Sequence, residues 1–187
     1  MGKTVLLVMD IQNGVLELLG NMEPYLSRLA PVINSAREAG IPIIYVATGF
    51  RPGYPEASAR NSSTAKVAAW GAFIEGDEST KIHPAVAPAD GDVVITKRRV
   101  SAFHGTDLDL ILRSMDAETL VITGLISSGV VLSTIRQGAD LDYRLTVLKD
   151  LSMDREQETH EMLVNKVFAK QAQILSSAEW VAGLKKP

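Results

Sequence analysis

Residues 119–148, TLVITGLISSGVVLSTIRQGADLDYRLTVL, decide the fold. They open on a β-branched apolar run, Thr119 to Thr123, cross a Gly/Ser turn, continue from Ser128 to Asp140 as a helical stretch, and close on a second apolar run, Arg144 to Leu148. Neither run alternates apolar and polar residues. Each therefore reads as a strand covered on both faces, which is the situation inside a parallel sheet. A strand, helix, strand unit of this length is the repeating grammar of α/β proteins.

Working outward, the same grammar recurs. Thr4 to Met9 (TVLLVM), Ile41 to Ala47 (IPIIYVA), Asp92 to Thr96 (DVVIT) and Ala172 to Leu175 (AQIL) bring the strands to six. Leu26 to Ala39 places Leu26, Leu29, Ile33 and Ala36 on one helix face, with Pro31 expected in the first turn and Gly40 as the stop. Asp107 to Met115 carries an apolar stripe behind a Thr106 cap, Asp154 to Phe168 forms a further helix, and Ser176-x-x-Glu179 is a capping box for the last. The reading predicts an α/β, three-layer, Rossmann-like architecture: a parallel six-stranded sheet with helices on both faces. No Gly/Ser or Pro-rich linker interrupts it, and 187 residues suit one domain spanning residues 1–187.

Composition narrows the function. Lys plus Arg total 19 against 22 Asp plus Glu, a net charge of −3, so the chain offers phosphates no general attraction and no nucleic-acid partner is expected. The absence of cysteine removes disulfides, thiolate metal sites and thiol nucleophiles together. The first apolar run is broken by Asp10 and is too short for a signal sequence or a membrane span, which predicts a cytoplasmic protein with no membrane partner.

Three places could carry chemistry. Asp10 ends the first run, at the carboxyl edge where parallel sheets open a ligand crevice, although a helix-capping or salt-bridge role suits it equally. Lys97 ends the run VVIT in the same way. Its neighbours Arg98 and Arg99 read most simply as a solvated face, but Lys97 itself should emerge beside Asp10, where contact would lower the carboxyl pKa. The segment from Gly124 to Thr134 is a strand end, a turn and a helix start, an arrangement that can aim backbone amides at an anion, although by itself it reads more simply as an ordinary strand-to-helix turn with a serine cap. Ser127 and Ser128 lack a G-x-S-x-G elbow, and His83, His104 and His160 are widely separated, so a serine nucleophile is not expected. Thr48 to Pro88 is a long loop that should shape specificity, with Arg51 and Arg60 as its charged candidates.

Taken together, MDIQNG, ITKRRVSAFHGTDLDLIL and TGLISSGVVLSTIRQGADLDYRLTVLKD resemble the isochorismatase-like, or cysteine hydrolase, family, from about Val5 to Trp180. The resemblance implies a strand order of 3-2-1-4-5-6, a cis peptide joining Leu125 to Ile126, oxyanion donors at the Ile126 and Val130 amides, and a homo-oligomer assembled through the helix after Ser128 and the long loop. It also implies a catalytic Asp at Asp10, a Lys at Lys97 and a nucleophilic Cys at the position held here by Val130. Val130 has no heteroatom, so the thiolate mechanism is impossible. The isochorismatases themselves also lack that Cys and use the Asp as general acid with water as nucleophile. The Asp-x-His metal set of related amidases has no counterpart in ATGFRPGYPE, so no metal or other cofactor is implied.

Two functions follow from this reading. One is a hydrolase for a small, anionic or carbonyl-containing substrate, with Asp10 as acid/base, Lys97 as its electrostatic partner, Gln12, Arg51 and Ser127 as polar contacts beside Ile126, and Phe103 as a pocket wall. The other is a non-catalytic ligand-binding or assembly protein that kept the scaffold.

Overall fold

In the computed structural model, which describes residues 3–184, the six apolar runs become β1 Lys3–Met9, β2 Ile43–Thr48, β3 Val93–Lys97, β4 Ala117–Leu125, β5 Arg144–Met153 and β6 Gln173–Leu175. Every neighbouring pair is parallel, and the order across the sheet is β3-β2-β1-β4-β5-β6. The chain starts at the centre with β1, moves to one edge, and returns to build the other half from β4. Connections therefore diverge between β1 and β4, which opens a crevice at their carboxyl ends.

Alternation along β1 divides the core. Val5, Leu7 and Met9 pack with α4 (Leu108–Ser114), α5 (Leu132–Asp140) and the helical region that runs from α6 (Gln157–Met162) to Phe168. Leu6 and Val8 pack on the opposite face with α2 (Glu23–Glu38) and α7 (Ser177–Leu184). Both sets are buried, which explains why the strand reads as a continuous apolar run.

The helices differ from the sequence reading at specific places. α2 begins three residues before Leu26, so Pro24 occupies its first turn and Pro31 lies in the interior. Pro31 is exposed, and the carbonyl left without its helical donor can turn to water there. The stretch after β4 enters α5 through a π turn, Ser127–Val131, with Gly129 at non-helical φ −101° and ψ −108°. A second π turn, Leu163–Val167, interrupts the segment expected as one helix from Asp154. The long loop holds α3 (Ser62–Trp70), whose first amides, of Ser63 and Thr64, donate to the Asn61 side chain. A short helix, α1 (Asn13–Glu17), also follows β1. The capping box forms as read: the Ser176 amide donates to Glu179 at 2.7 Å and the Glu179 amide to Ser176 Oγ at 3.2 Å.

Candidate active site

The ends of three strands meet in a buried polar triangle. Asp10 follows β1, Thr48 closes β2 and Lys97 closes β3, and Thr48 pairs in register with Lys97. Lys97 Nζ lies 2.9 Å from Asp10 Oδ2 and donates to Thr48 Oγ1 at 2.7 Å, while Thr48 Oγ1 donates to Asp10 Oδ1 at 3.1 Å. The lysine and aspartate side chains are only 5% and 8% exposed.

Two local devices hold Asp10 there. Its backbone is left-handed, at φ +57°, a region that Asp tolerates better than most residues, and its amide donates to the Val46 carbonyl at 2.7 Å. Beside it, Gly124 lets β4 press against β1, since a Cβ at residue 124 would lie 2.8 Å from the Met9 carbonyl oxygen. Burial also changes the acid. Desolvation pushes the Asp10 carboxyl above its ordinary value and outweighs the opposing pull of the Lys97 charge and the hydrogen bonds from Lys97 and Thr48. The expectation that contact with Lys97 would leave this pKa lowered is therefore corrected: the charge acts in that direction, but removal from water prevails.

The triangle forms the floor of a cavity of about 200 Å³. Val15, Leu18, Phe50, Val67 and Phe73 give it apolar walls, and Ile126, Gly129 and Val130 close one side. Val130 is 2% exposed, so an aliphatic group sits where the resemblance places a thiol. The Leu125–Ile126 peptide is cis. Beyond it, the Gly129 and Val131 amides donate to the Ile126 carbonyl at 3.0 and 3.4 Å, Ser127 Oγ lies 2.8 Å from His160 Nδ1, and the Ser128 amide donates to Asp154 at 2.7 Å. These bonds fix the turn that carries Val130.

Four residues expected as substrate contacts lie elsewhere. Gln12 is buried, and its amide is consumed by the backbone: Nε2 donates to the Thr48 and Thr80 carbonyls at 2.8 and 2.7 Å, and Oε1 accepts from the Thr48 amide at 2.7 Å. It positions Thr48 instead of meeting the cavity. Arg51 is mostly exposed and paired with Glu56. Phe103 is buried in the core, stacked on Tyr143 with ring centroids 5.9 Å apart. Ser127 is fully buried and directed at His160. Asp10, Lys97, Ile126 and Val130 do line the cavity. Sequence reasoning passed over Thr48, Phe50 and Phe73 and read Arg99 as part of a solvated face, whereas all four line the cavity; Thr48 follows an apolar run as Asp10 and Lys97 do. Among the described residues no three His, Asp or Glu side chains gather as a metal-binding group.

Residues 4–179 match the isochorismatase domain. The chain belongs to the isochorismatase family. It is 31% identical over 183 residues to the uncharacterized isochorismatase family protein YecD of Escherichia coli O157:H7, covering 94% of this chain and 93% of that protein. It is also 32% identical over 171 residues to the ureidoacrylate amidohydrolase RutB of Pseudomonas syringae pv. syringae, covering 80% of this chain and 70% of that one. An isochorismatase family protein of known structure from Burkholderia thailandensis superposes with a TM-score of 0.87 at 26% identity, over 98% of this chain and 96% of that one. The family is one of hydrolases with this Rossmann-like sheet. No helix among the described residues is long and apolar enough to cross a membrane.

Proposed function

We propose that this family member is a hydrolase that acts on a small, anionic or carbonyl-containing molecule with water, and no protein group, as the nucleophile. The reading rests on one observation: a desolvated Asp10, Lys97 and Thr48 triangle forms the floor of a cavity whose wall presents an aliphatic Val130. Burial raises the Asp10 carboxyl above its ordinary value, so it holds a proton more tightly than an exposed carboxyl does, which suits a group that takes a proton from water and then passes it to a departing nitrogen or oxygen. Water attacks first: Asp10, as a carboxylate beside the Lys97 ammonium, takes the water proton as the new C–O bond forms and the carbonyl opens to an oxyanion. It then returns that proton to the leaving nitrogen or oxygen as the oxyanion collapses and the scissile bond breaks. The Ile126 and Val130 amides are the donors for a developing oxyanion. The kinship with a ureidoacrylate amidohydrolase supports an amide or ureido carbonyl as the bond attacked.

The test is turnover of a panel of amides, N-carbamoyl compounds and enol ethers, followed by mass spectrometry of products and of the intact protein. Asp10→Asn should lower turnover by about 10²- to 10⁴-fold, the usual contribution of a positioned acid/base. A double variant, Asp10→Asn with Lys97→Met, avoids leaving a buried ammonium alone and separates lost chemistry from lost folding. A chelator should leave the rate unchanged, and no adduct should accumulate. An adduct on Ser127 or Ser128 would overturn the mechanism. Val130 itself favours a second reading, a ligand-binding or assembly protein, which binding without turnover across the whole panel would support. Either function belongs to a cytoplasmic homo-oligomer, with no nucleic-acid or membrane partner.

A further inference from the structure

Three cationic residues line the cavity: Lys97, Arg98 and Arg99. Two are already matched. Lys97 is held by Asp10 and Thr48. Arg98 Nε lies 2.9 Å from Glu56 Oε1, and its outer nitrogen pairs with Glu75. Glu56 also takes Arg51, and although desolvation pushes the Glu56 carboxyl up, hydrogen bonds from its own backbone and from Arg51 hold it below its ordinary value. That carboxylate stays ionised and neutralises the arginines beside it.

Arg99 has no such match. It is half-buried, its Nη1 donates to the Arg98 carbonyl at 2.6 Å, and no carboxylate of the described residues stands within ion-pair distance. The single backbone bond fixes one arm of a planar fork. The remaining donors belong to a half-buried residue of a cavity that Val15, Leu18, Phe50 and Phe73 also line, where a charge is less screened than in open water. A planar carboxylate is the ligand whose charge and two-oxygen geometry fit that fork.

We infer that Arg99 is the specificity residue of the cavity and seats the carboxylate of the substrate while the scissile carbonyl points to Asp10. The inference rests on reading this cavity as the substrate site. It reassigns anion recognition from Arg51, in the long loop, to the residue two places after Lys97. The chemical class it names is a short carboxylic acid that carries an amide or ureido group, small enough for about 200 Å³.

Calorimetric titration tests it with matched probes: N-carbamoylglycine, N-carbamoyl-β-alanine and 3-ureidoacrylate, each against its own carboxamide, which differs only in charge. The wild-type protein should bind at least one acid roughly tenfold tighter than its carboxamide, the scale of a charged hydrogen-bonded contact. Arg99→Met should erase that preference and leave carboxamide affinity within about twofold, since the aliphatic stem remains. Arg99→Lys should keep part of it, and Arg51→Met all of it. An Arg99→Met protein that still prefers the acids overturns the inference. So does a wild-type protein without the preference, including one that binds none of the probes. Preference without turnover would sink the hydrolase reading and leave Arg99 in its role.

Discussion

Asp10 is the residue whose energetics most directly expose the site. Its carboxyl gains from Lys97 and Thr48 but loses more by leaving water, so the folded protein holds its proton more tightly than the unfolded chain does. The sign of the linkage follows: the contribution to stability is complete below the ordinary value of 3.8 and is lost as pH rises through the higher folded value. Urea unfolding of wild type and Asp10→Asn between about pH 4 and pH 7 should show wild type losing stability relative to the variant as pH increases; a difference independent of pH would mean that Lys97 fully compensates the burial. Val130 makes the complementary test. Val130→Ala removes two buried methyl groups and should cost about 2 kcal/mol, from roughly 0.8 kcal/mol per group and a cavity term, with little effect on turnover. Val130→Cys should instead become alkylable in a chain that has no other thiol. Asp10 and Lys97 were legible in the sequence because each terminates an apolar strand, and a strand end in a parallel sheet has a known destination. Arg51, Gln12 and Phe103 were misread because residue type in a loop carries no direction: Glu56 draws Arg51 aside, two carbonyls consume the Gln12 amide, and Tyr143 holds Phe103 in the core.

Among the elements, the π turn Ser127–Val131 matters most, because it carries Val130 to the cavity and ties that wall to α6 through Ser127 and His160. Ser127 is wholly buried, so its hydroxyl depends on the imidazole for a partner. His160→Phe keeps a ring in place but removes the nitrogen, and should cost about 1–3 kcal/mol in denaturant unfolding, the penalty of an unsatisfied buried hydroxyl. Adding Ser127→Ala should recover most of that loss, since the pair is then replaced by apolar groups; strict additivity of the two losses would show that the contact contributes nothing. The strands were readable as elements because burial on both faces leaves an uninterrupted apolar run. The π turns were not, because one extra residue in the hydrogen-bonding cycle leaves the apolar pattern of the flanking helix intact. Likewise, the meeting of Ser127 with His160 spans 33 residues and depends on how α6 leans on the turn, which no local pattern encodes.

On the scale of the whole molecule, the sheet order could be anticipated from the resemblance and from the requirement that parallel strands be joined by crossovers, and it sets the crevice at the β1 and β4 ends where Asp10 stands. Surface chemistry leaves a further question at this scale. Trp70 is 62% exposed at the end of α3, inside the long segment between β2 and β3, and Leu18 and Val100 are exposed where they border the cavity. Leu18 and Val100 share the cavity rim, and Trp70 is the large exposed apolar side chain of the segment expected to meet another chain. The expected assembly through the long loop and the region after Ser128 would bury Trp70. Light scattering should therefore give a particle heavier than the 20.2 kDa chain at micromolar concentration. Trp70→Glu should shift it toward the single chain by placing a charge in the contact, while Leu110→Glu, at an equally exposed position on α4 outside that surface, should leave the mass unchanged. A 20.2 kDa particle for the wild type would exclude the assembly, and dissociation by Leu110→Glu alone would move the interface to α4.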